Sequence, residues 1–416
     1  METSKSEFIS DFIKKNYVGS QGGELKVYSL ESQWSQEPST DLLKDLKFEK
    51  KENLILISNH LNVFVYGCYY SEYRLGNTQI SAKNDYFVYI EKIDSTGLVS
   101  DCPKGLASLT ISALIKYLQE LLSSFQLCVY AATSDQYLFP LSSKSTFKNI
   151  KSDRGLIGWW IKALSSSSTR EPQEPPLERY CFVPGETMQS SKYLFSGLPD
   201  SAQWIWGFGV DGTQVASTVL PSFPDDLVTK ALEYAPSEKA TVFDLQEVMG
   251  VLETHAGLRA LLRISFQPLQ EKNQSDNGNA STLVKQEDFS VKVLDVLLKG
   301  EFDSVDSATS STKEFLDSVK TLGLESSSFT LVPSVAPLKT DGGSEKITVH
   351  SISGSLVKKK TANINTITSS MIKKSGQANT INASLIKKKP LANTNVVDLK
   401  RKGLESDEGN DKKQKV

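Results

Sequence analysis

The chain has little from which to build a metal or disulfide centre. Its four cysteines, Cys68, Cys102, Cys128 and Cys181, show no CxxC spacing, and its only histidines are His60, His255 and His350. That scarcity argues against a zinc site, so no metal is expected, and cysteine usage reads as cytosolic or nuclear. No stretch reaches the roughly 18 apolar residues of a membrane span. The opening segment, METSKSEFISDFIKKN, lacks the apolar run of a secretory signal. The expectation is a soluble intracellular protein without a membrane partner. P-loop, GxSxG and HExxH motifs are absent as well, which removes the most readable catalytic signatures.

Aromatic residues are present but unevenly placed, with no Trp after Trp206 and no Tyr after Tyr234. In a chain of 416 residues this puts the folded body N-terminal. The net charge of −2 hides a second asymmetry: Lys346 to Lys402 holds twelve Lys or Arg against one acid, Asp398. A near-neutral body therefore carries a basic extension.

Within the body, Phe8, Ile9, Phe12 and Ile13 fall on one face at helical spacing over Glu7 to Lys15. Asn62 to Tyr70 and Tyr86 to Lys92 are rich in aromatic and β-branched residues and flank a polar turn, as in a long antiparallel hairpin. From Ile111, apolar residues recur at helical spacing, and Gln126 to Ala131 reads as a further strand. A helix is expected over Asp153 to Leu164, capped by Asp153. The resulting fold class is α/β (α+β), a central mixed sheet surrounded by helices. Surface loops are expected near residues 165–178 and 268–284. Helical spacing resumes over Asp288 to Leu298 and Thr312 to Leu322, and ordered structure is expected to end near Gly323. The division is thus a body over residues 1–325 and a disordered tail over 326–416.

The tail is repetitive over residues 347–402. Ser355-Leu356-Val357-Lys358-Lys359 recurs from Ser370 and from Ser384, at intervals of 15 and 14 residues. Units so short cannot stack into a solenoid and read as tandem linear binding motifs. Over residues 400–415, Lys400-Arg401 and Lys412-Lys413-Gln414-Lys415 are spaced like a bipartite nuclear import signal. A merely solvated basic tail has the same composition.

One loop suggests chemistry. Asp94 to Ser108, DSTGLVSDCPKGLAS, joins a strand to a helix and brings Gly97, Lys104, Gly105 and backbone amides to the helix N-terminus, where anions bind. An ordinary glycine-containing connection would look the same. Trp159 and Trp160 are adjacent on a helix and point about 100° apart, so one can line a pocket while the other is core. Asp225-Asp226 reads by itself as a helix cap.

Three blocks taken together resemble the fungal histone H3 lysine acetyltransferases named for regulation of Ty transposition, structural relatives of the CBP-type acetyltransferases. They are QYLFPLSSKSTFKNIKSDRGLIGWW (136 to 160), VPGET (183 to 187) with KYLFSG and WIWG, and LPSFPDD (220 to 226). KIDSTG (92 to 97) and LLKGEFDS (297 to 304) extend the match. The resemblance implies a CBP-like acetyltransferase fold with acetyl-CoA as cosubstrate, held by Ile93, Asp94, Ser95, Lys104, Gly105, Leu106, Ala107, Ser108, Tyr130, Ser134, Asn149, Ile150, Lys151 and Trp159. Tyr137, Lys148 and Trp160 are implied to line the same cleft.

The same resemblance implies the chemistry. Trp160 would wall an apolar tunnel that lowers the pKa of the acceptor lysine, Asp94 would steer the incoming ammonium, and Asp226 would accept its proton. The family carries an autoacetylated lysine where this chain has Val228, with Lys230 two positions further on. The implied acceptor is histone H3 bound with H4, on the core lysine of the αN helix and on tail lysines. The implied partners are histone chaperones of the anti-silencing-function and nucleosome-assembly-protein types, and the implied setting is nuclear, in replication-coupled nucleosome assembly and genome stability. Two other classes stay open: an acetyltransferase-like chromatin adaptor without turnover, and a nucleic-acid-binding protein resting only on tail charge.

Overall fold

The computed structural model describes residues 3–35, 42–75, 86–99, 102–122, 124–167, 177–199, 202–253, 257–267, 284–285 and 289–333. Contacts divide the chain into Met1–Leu338 and Lys339–Val416. The tail repeats, the import signal and the cores of the two expected loops lie outside the described residues.

A nine-stranded mixed sheet organises the first unit. Its strands are β1 (Gly23–Glu31), β2 (Phe48–Asn59), β3 (Phe64–Leu75), β4 (Tyr86–Ser95), β5 (Phe125–Ala131), β6 (Glu178–Phe182), β7 (Ile205–Trp206), β8 (Ala260–Phe266) and β9 (Glu325–Leu331), in the spatial order 7-6-8-5-4-3-2-1-9. The expected hairpin is β3 against β4, antiparallel, with Tyr73 opposite Phe87. β4 and β5 run parallel and are joined through α2 (Leu106–Leu121), a βαβ crossover. The expected mixed sheet with helices is therefore the fold of this chain.

One face buries Ile55, Ile57, Tyr70, Val88, Ile90, Leu127 and Val129 under α1 (Lys5–Asn16), α2 and α3 (Asp153–Ser167). Alternate residues of the same strands bury the other face, with Leu54, Leu56, Phe64 and Tyr69 meeting Phe139, Phe302 and Phe315. A smaller cluster packs α4 (Ala216–Val219), α5 (Leu227–Glu233) and α6 (Val242–Glu253) through Leu220, Leu227 and Leu245. Beyond β8, a π-helical turn over Phe289–Leu294 leads into α7 (Asp295–Lys299) and α8 (Val305–Val319).

Two strands went unforeseen and three sequence expectations are corrected. β1 and β2 were not anticipated, because charged residues fill the first half of β2, FEKKEN. Those charges are buried but paired: Lys51 lies 3.3 Å from Glu31 and 3.2 Å from Glu72, and Lys5 contacts Glu31. Burial alone would push Glu31 up, but Lys5 and Lys51 reverse this and hold it at about 2. α8 begins at Val305 rather than near Thr312, because Ser304 caps it by accepting from Ser307 N. Order does not end near Gly323, since β9 follows and pairs with β1, Leu25 opposite Phe329. Ser152, not Asp153, caps α3, accepting from Gly155 N at 3.3 Å, while Asp153 accepts from Thr133 Oγ1 and from Leu258 N.

Candidate active site

At the carboxyl ends of β4 and β5, where open α/β sheets place their ligands, a cleft of about 540 Å³ opens. Its walls are Ile93–Val99 at and beyond the end of β4, Cys102–Ser108 leading into and opening α2, Thr133, Ser134 and Tyr137 after β5, Phe147–Lys151, and Leu156 and Trp159 of α3.

Two glycines explain the shape. Gly105 is the N-cap of α2 with φ +82° and offers no capping side chain; Leu106 N donates to the Pro103 carbonyl at 3.3 Å, and no side chain caps the amides that follow it. Gly97 has φ +61°, and a Cβ there would collide with the backbone of Lys148. Its carbonyl also accepts from Ser145 Oγ, which presses the 145–151 segment against the β4 loop.

Asp94 holds the other side together. Its Oδ2 accepts from three consecutive backbone amides, Tyr137 at 2.8 Å, Leu138 at 3.0 Å and Phe139 at 3.2 Å. Its Oδ1 accepts from Ser95 N at 2.8 Å and pairs with Lys148 Nζ at 2.8 Å. Lys148 also donates to Ser142 Oγ at 2.6 Å. The carboxylate is thus spent on protein partners. Its observed geometry is that of a group positioning the 137–148 segment, in place of the free steering carboxylate expected from sequence.

The structure brings together Ile93, Asp94, Ser95, Lys104 to Ser108, Ser134, Tyr137, Lys148 to Lys151 and Trp159, all lining this one cleft. Three expected residues fall elsewhere. Trp160 is 4% exposed among Ile157, Ile161 and Leu164 in the core, and Trp159 takes the cleft. Consecutive helical positions diverge, so only one indole can face the opening; the rings meet edge-on at 5.0 Å. Tyr130 points to the opposite face of β5, where its hydroxyl accepts from Arg259 at 2.9 Å.

Asp226 occupies a separate, narrow recess lined by Tyr89, Tyr180, Phe208, Phe223 and Arg263. It is both cap and buried acid: it accepts from Thr229 N at 2.7 Å as N-cap of α5, yet is only 1% exposed. Burial raises its pKa to about 6, against the lowering effect of the Thr229 amide. Phe223 stacks on Tyr89 at 4.4 Å and so fixes the turn, and Asp225 beside it holds a left-handed φ of +62°. Val228 is buried, while Lys230 is exposed.

Sequence reasoning missed Tyr66, Thr133 and Phe147, which also line the cleft. Tyr66 sits mid-strand with no motif around it. Thr133 could have been found as the neighbour of Ser134.

Known proteins similar to this chain share one activity in their names. Residues 114–240 match the histone acetyltransferase KAT11-type domain. The chain is 27% identical over 325 residues to histone acetyltransferase rtt109 of Schizosaccharomyces pombe, spanning 71% of this chain and 83% of that one. It is 26% identical over 204 residues to histone acetyltransferase RTT109 of Candida albicans, 48% of each. The crystal structure of Rtt109 from Aspergillus fumigatus shares the fold, with a TM-score of 0.62 at 17% identity, covering 80% of this chain and 100% of that one. The chain is similar to the fungal Rtt109 histone acetyltransferases, and its KAT11-type domain is that of a histone lysine acetyltransferase.

Proposed function

We propose that the cleft between the β4 loop, the start of α2 and the 147–151 segment binds acetyl-CoA, and that the acetyl group goes to lysines of histone H3 held with H4 by a chaperone. The observation that carries this reading is the meeting of an uncapped helix N-terminus with Lys104 and Lys151 at one end and apolar Val65, Ile93, Leu156 and Trp159 along the walls. Such a donor set suits a pyrophosphate followed by a pantetheine arm.

Acetyl-CoA supplies an activated thioester. The protein's task is to align it, admit a neutral amine and take up a proton. In this reading Asp94 and Lys148 hold the 137–148 segment in register, and Trp159 supplies the apolar wall beside the reacting end. Asp226, with a pKa of about 6, is ionised at neutral pH yet basic enough to receive the proton. This assignment requires the acceptor lysine to approach between the Asp226 recess and the cleft. The preferred acceptors are the core lysine of the H3 αN helix and tail lysines, in the nucleus, during replication-coupled nucleosome assembly and in response to DNA damage. Chaperones of the anti-silencing-function and nucleosome-assembly-protein types deliver H3–H4, and the repeated tail segments engage those chaperones.

The test is transfer from labelled acetyl-CoA to H3–H4, with and without each chaperone, using the full chain and its Asp94→Asn, Trp159→Ala and Asp226→Asn variants. Chaperone-stimulated labelling of H3 that falls in all three variants supports the reading. Labelling confined to H4, or indifferent to the chaperones, ends the H3 and chaperone part of it.

A further inference from the structure

Most apolar side chains of the cleft belong to the core clusters behind it, but Phe147 does not. It is 59% exposed, enters none of those clusters and, among the described residues, pairs with no other ring. Ile150, also on the cleft wall, is 45% exposed. A phenyl ring that lines a ligand cleft and is left uncovered by the protein is a surface that a planar ligand group can cover.

The ring is carried on a backbone held by several contacts. Lys148 N donates to the Ser145 carbonyl at 3.3 Å, Ile150 N donates to the Lys148 carbonyl at 3.2 Å, and Gly97 packs against the Lys148 backbone. Charge says what kind of ligand comes here. Among the residues that line the cleft, the cations are Lys104, Lys148 and Lys151, and the acid is Asp94, which is spent on Lys148. The cleft is therefore positive, which attracts phosphate and repels a lysine-rich histone.

We propose that Phe147 is the platform on which the adenine ring of acetyl-CoA stacks. The inference rests on the acetyl-CoA reading above and adds the residue that takes the base. In that reading the phosphates sit at the start of α2 with Lys104 and Lys151, and the pantetheine arm runs inward along Val65, Ile93, Leu156 and Trp159. The adenosine then lies outward of the phosphates, toward solvent, and Phe147 is the exposed aromatic side chain of the cleft. Every base offers a π face, so an aromatic ring can hold adenine without reading its edge.

The experiment is calorimetric titration of the full chain and its Phe147→Ala and Phe147→Tyr variants with two cosubstrates, acetyl-CoA and acetyl-phosphopantetheine, which keeps the thioester arm and lacks the adenosine. The expected result is that Phe147→Ala weakens acetyl-CoA binding roughly tenfold and leaves acetyl-phosphopantetheine binding unchanged, while Phe147→Tyr keeps the parent's affinity for both. Equal weakening of the two cosubstrates in Phe147→Ala would overturn the stacking role, as would no weakening of either, or a tyrosine variant as weak as the alanine one. A parent chain that binds acetyl-CoA no better than acetyl-phosphopantetheine would overturn it too. Failure of the parent to bind either molecule would instead defeat the underlying acetyl-CoA reading. Retained acetyl-phosphopantetheine binding shows that a variant has folded.

Discussion

Lys148 Nζ lies 2.8 Å from Asp94 Oδ1, with both side chains almost wholly buried. This pair bridges the end of β4 to a segment more than fifty residues later, and the cleft takes its shape from that bridge. Removing one partner leaves an uncompensated buried charge, which typically costs about 3–5 kcal/mol. Lys148→Met is therefore expected to lower stability by that order and to raise the KM for acetyl-CoA. The Asp94→Asn, Lys148→Met pair is expected to lose less than the sum of the single changes. A double-mutant cycle in urea checks this, and additive losses would show the pair to be energetically unlinked.

Asp226 makes a pH-dependent prediction. Its folded-state pKa of about 6 lies above the usual 3.8, so protonated carboxyl is free of penalty at low pH in both states. As pH rises from the usual value through the folded one, the unfolded chain ionises first, and burying the charge comes to cost on the order of 3 kcal/mol. Asp226→Asn retains a capping side chain and removes that cost. Its stability relative to the parent is expected to be greatest above pH 6 and to shrink toward pH 4, as read from urea midpoints. Under the proposed proton-acceptor role, the parent's rate climbs through about pH 6 and the variant's does not.

The two indoles are expected to separate stability from ligand affinity. Trp160→Ala empties a core position and is expected to cost about 3–5 kcal/mol. Trp159→Ala, at the cleft wall, is expected to weaken acetyl-CoA binding several-fold at a smaller stability cost. Thermal unfolding combined with calorimetric titration distinguishes them; equal effects on both readouts would contradict the assignment.

Gly97→Ala tests the close approach of the β4 loop to Lys148. A methyl group there meets backbone, and the left-handed φ adds strain of about 1–3 kcal/mol. The 145–151 segment is expected to shift outward, with weaker acetyl-CoA binding and faster proteolysis near Lys148. Unaltered binding would mean that the segment does not need this contact.

Much of the fold was legible because periodicity and burial agreed. The faces of α1 and α2 and the β3–β4 pair bury the residues their spacing selects. Legibility failed where tertiary pairing overrides composition. Lys50, Lys51 and Glu52 give no apolar pattern that would name a strand, yet each is buried with a partner of opposite charge beside it. β9, ESSSFTL, shows only Phe329 and Leu331 to the core, too weak a pattern to name a strand. At the cleft, the motif resemblance placed both Trp159 and Trp160 on the wall, whereas only Trp159 lines it. That depends on the rotation of α3, which the burial of its own Ile157 and Ile161 in the core decides.

The antiparallel ladder between β1 and β9 sets a timetable for biosynthesis. Gly23 pairs with Leu331, so a strand made among the first to leave the ribosome waits for one made some three hundred residues later. Until then the free edge of β1 exposes unpaired amides and carbonyls, a template for association with other chains. A nascent chain halted before Glu325 carries every residue that lines the cleft and an uncovered β1 edge. The exposure of the β1 edge spans nearly the entire synthesis of the domain and ends only when the short, serine-rich β9 covers it.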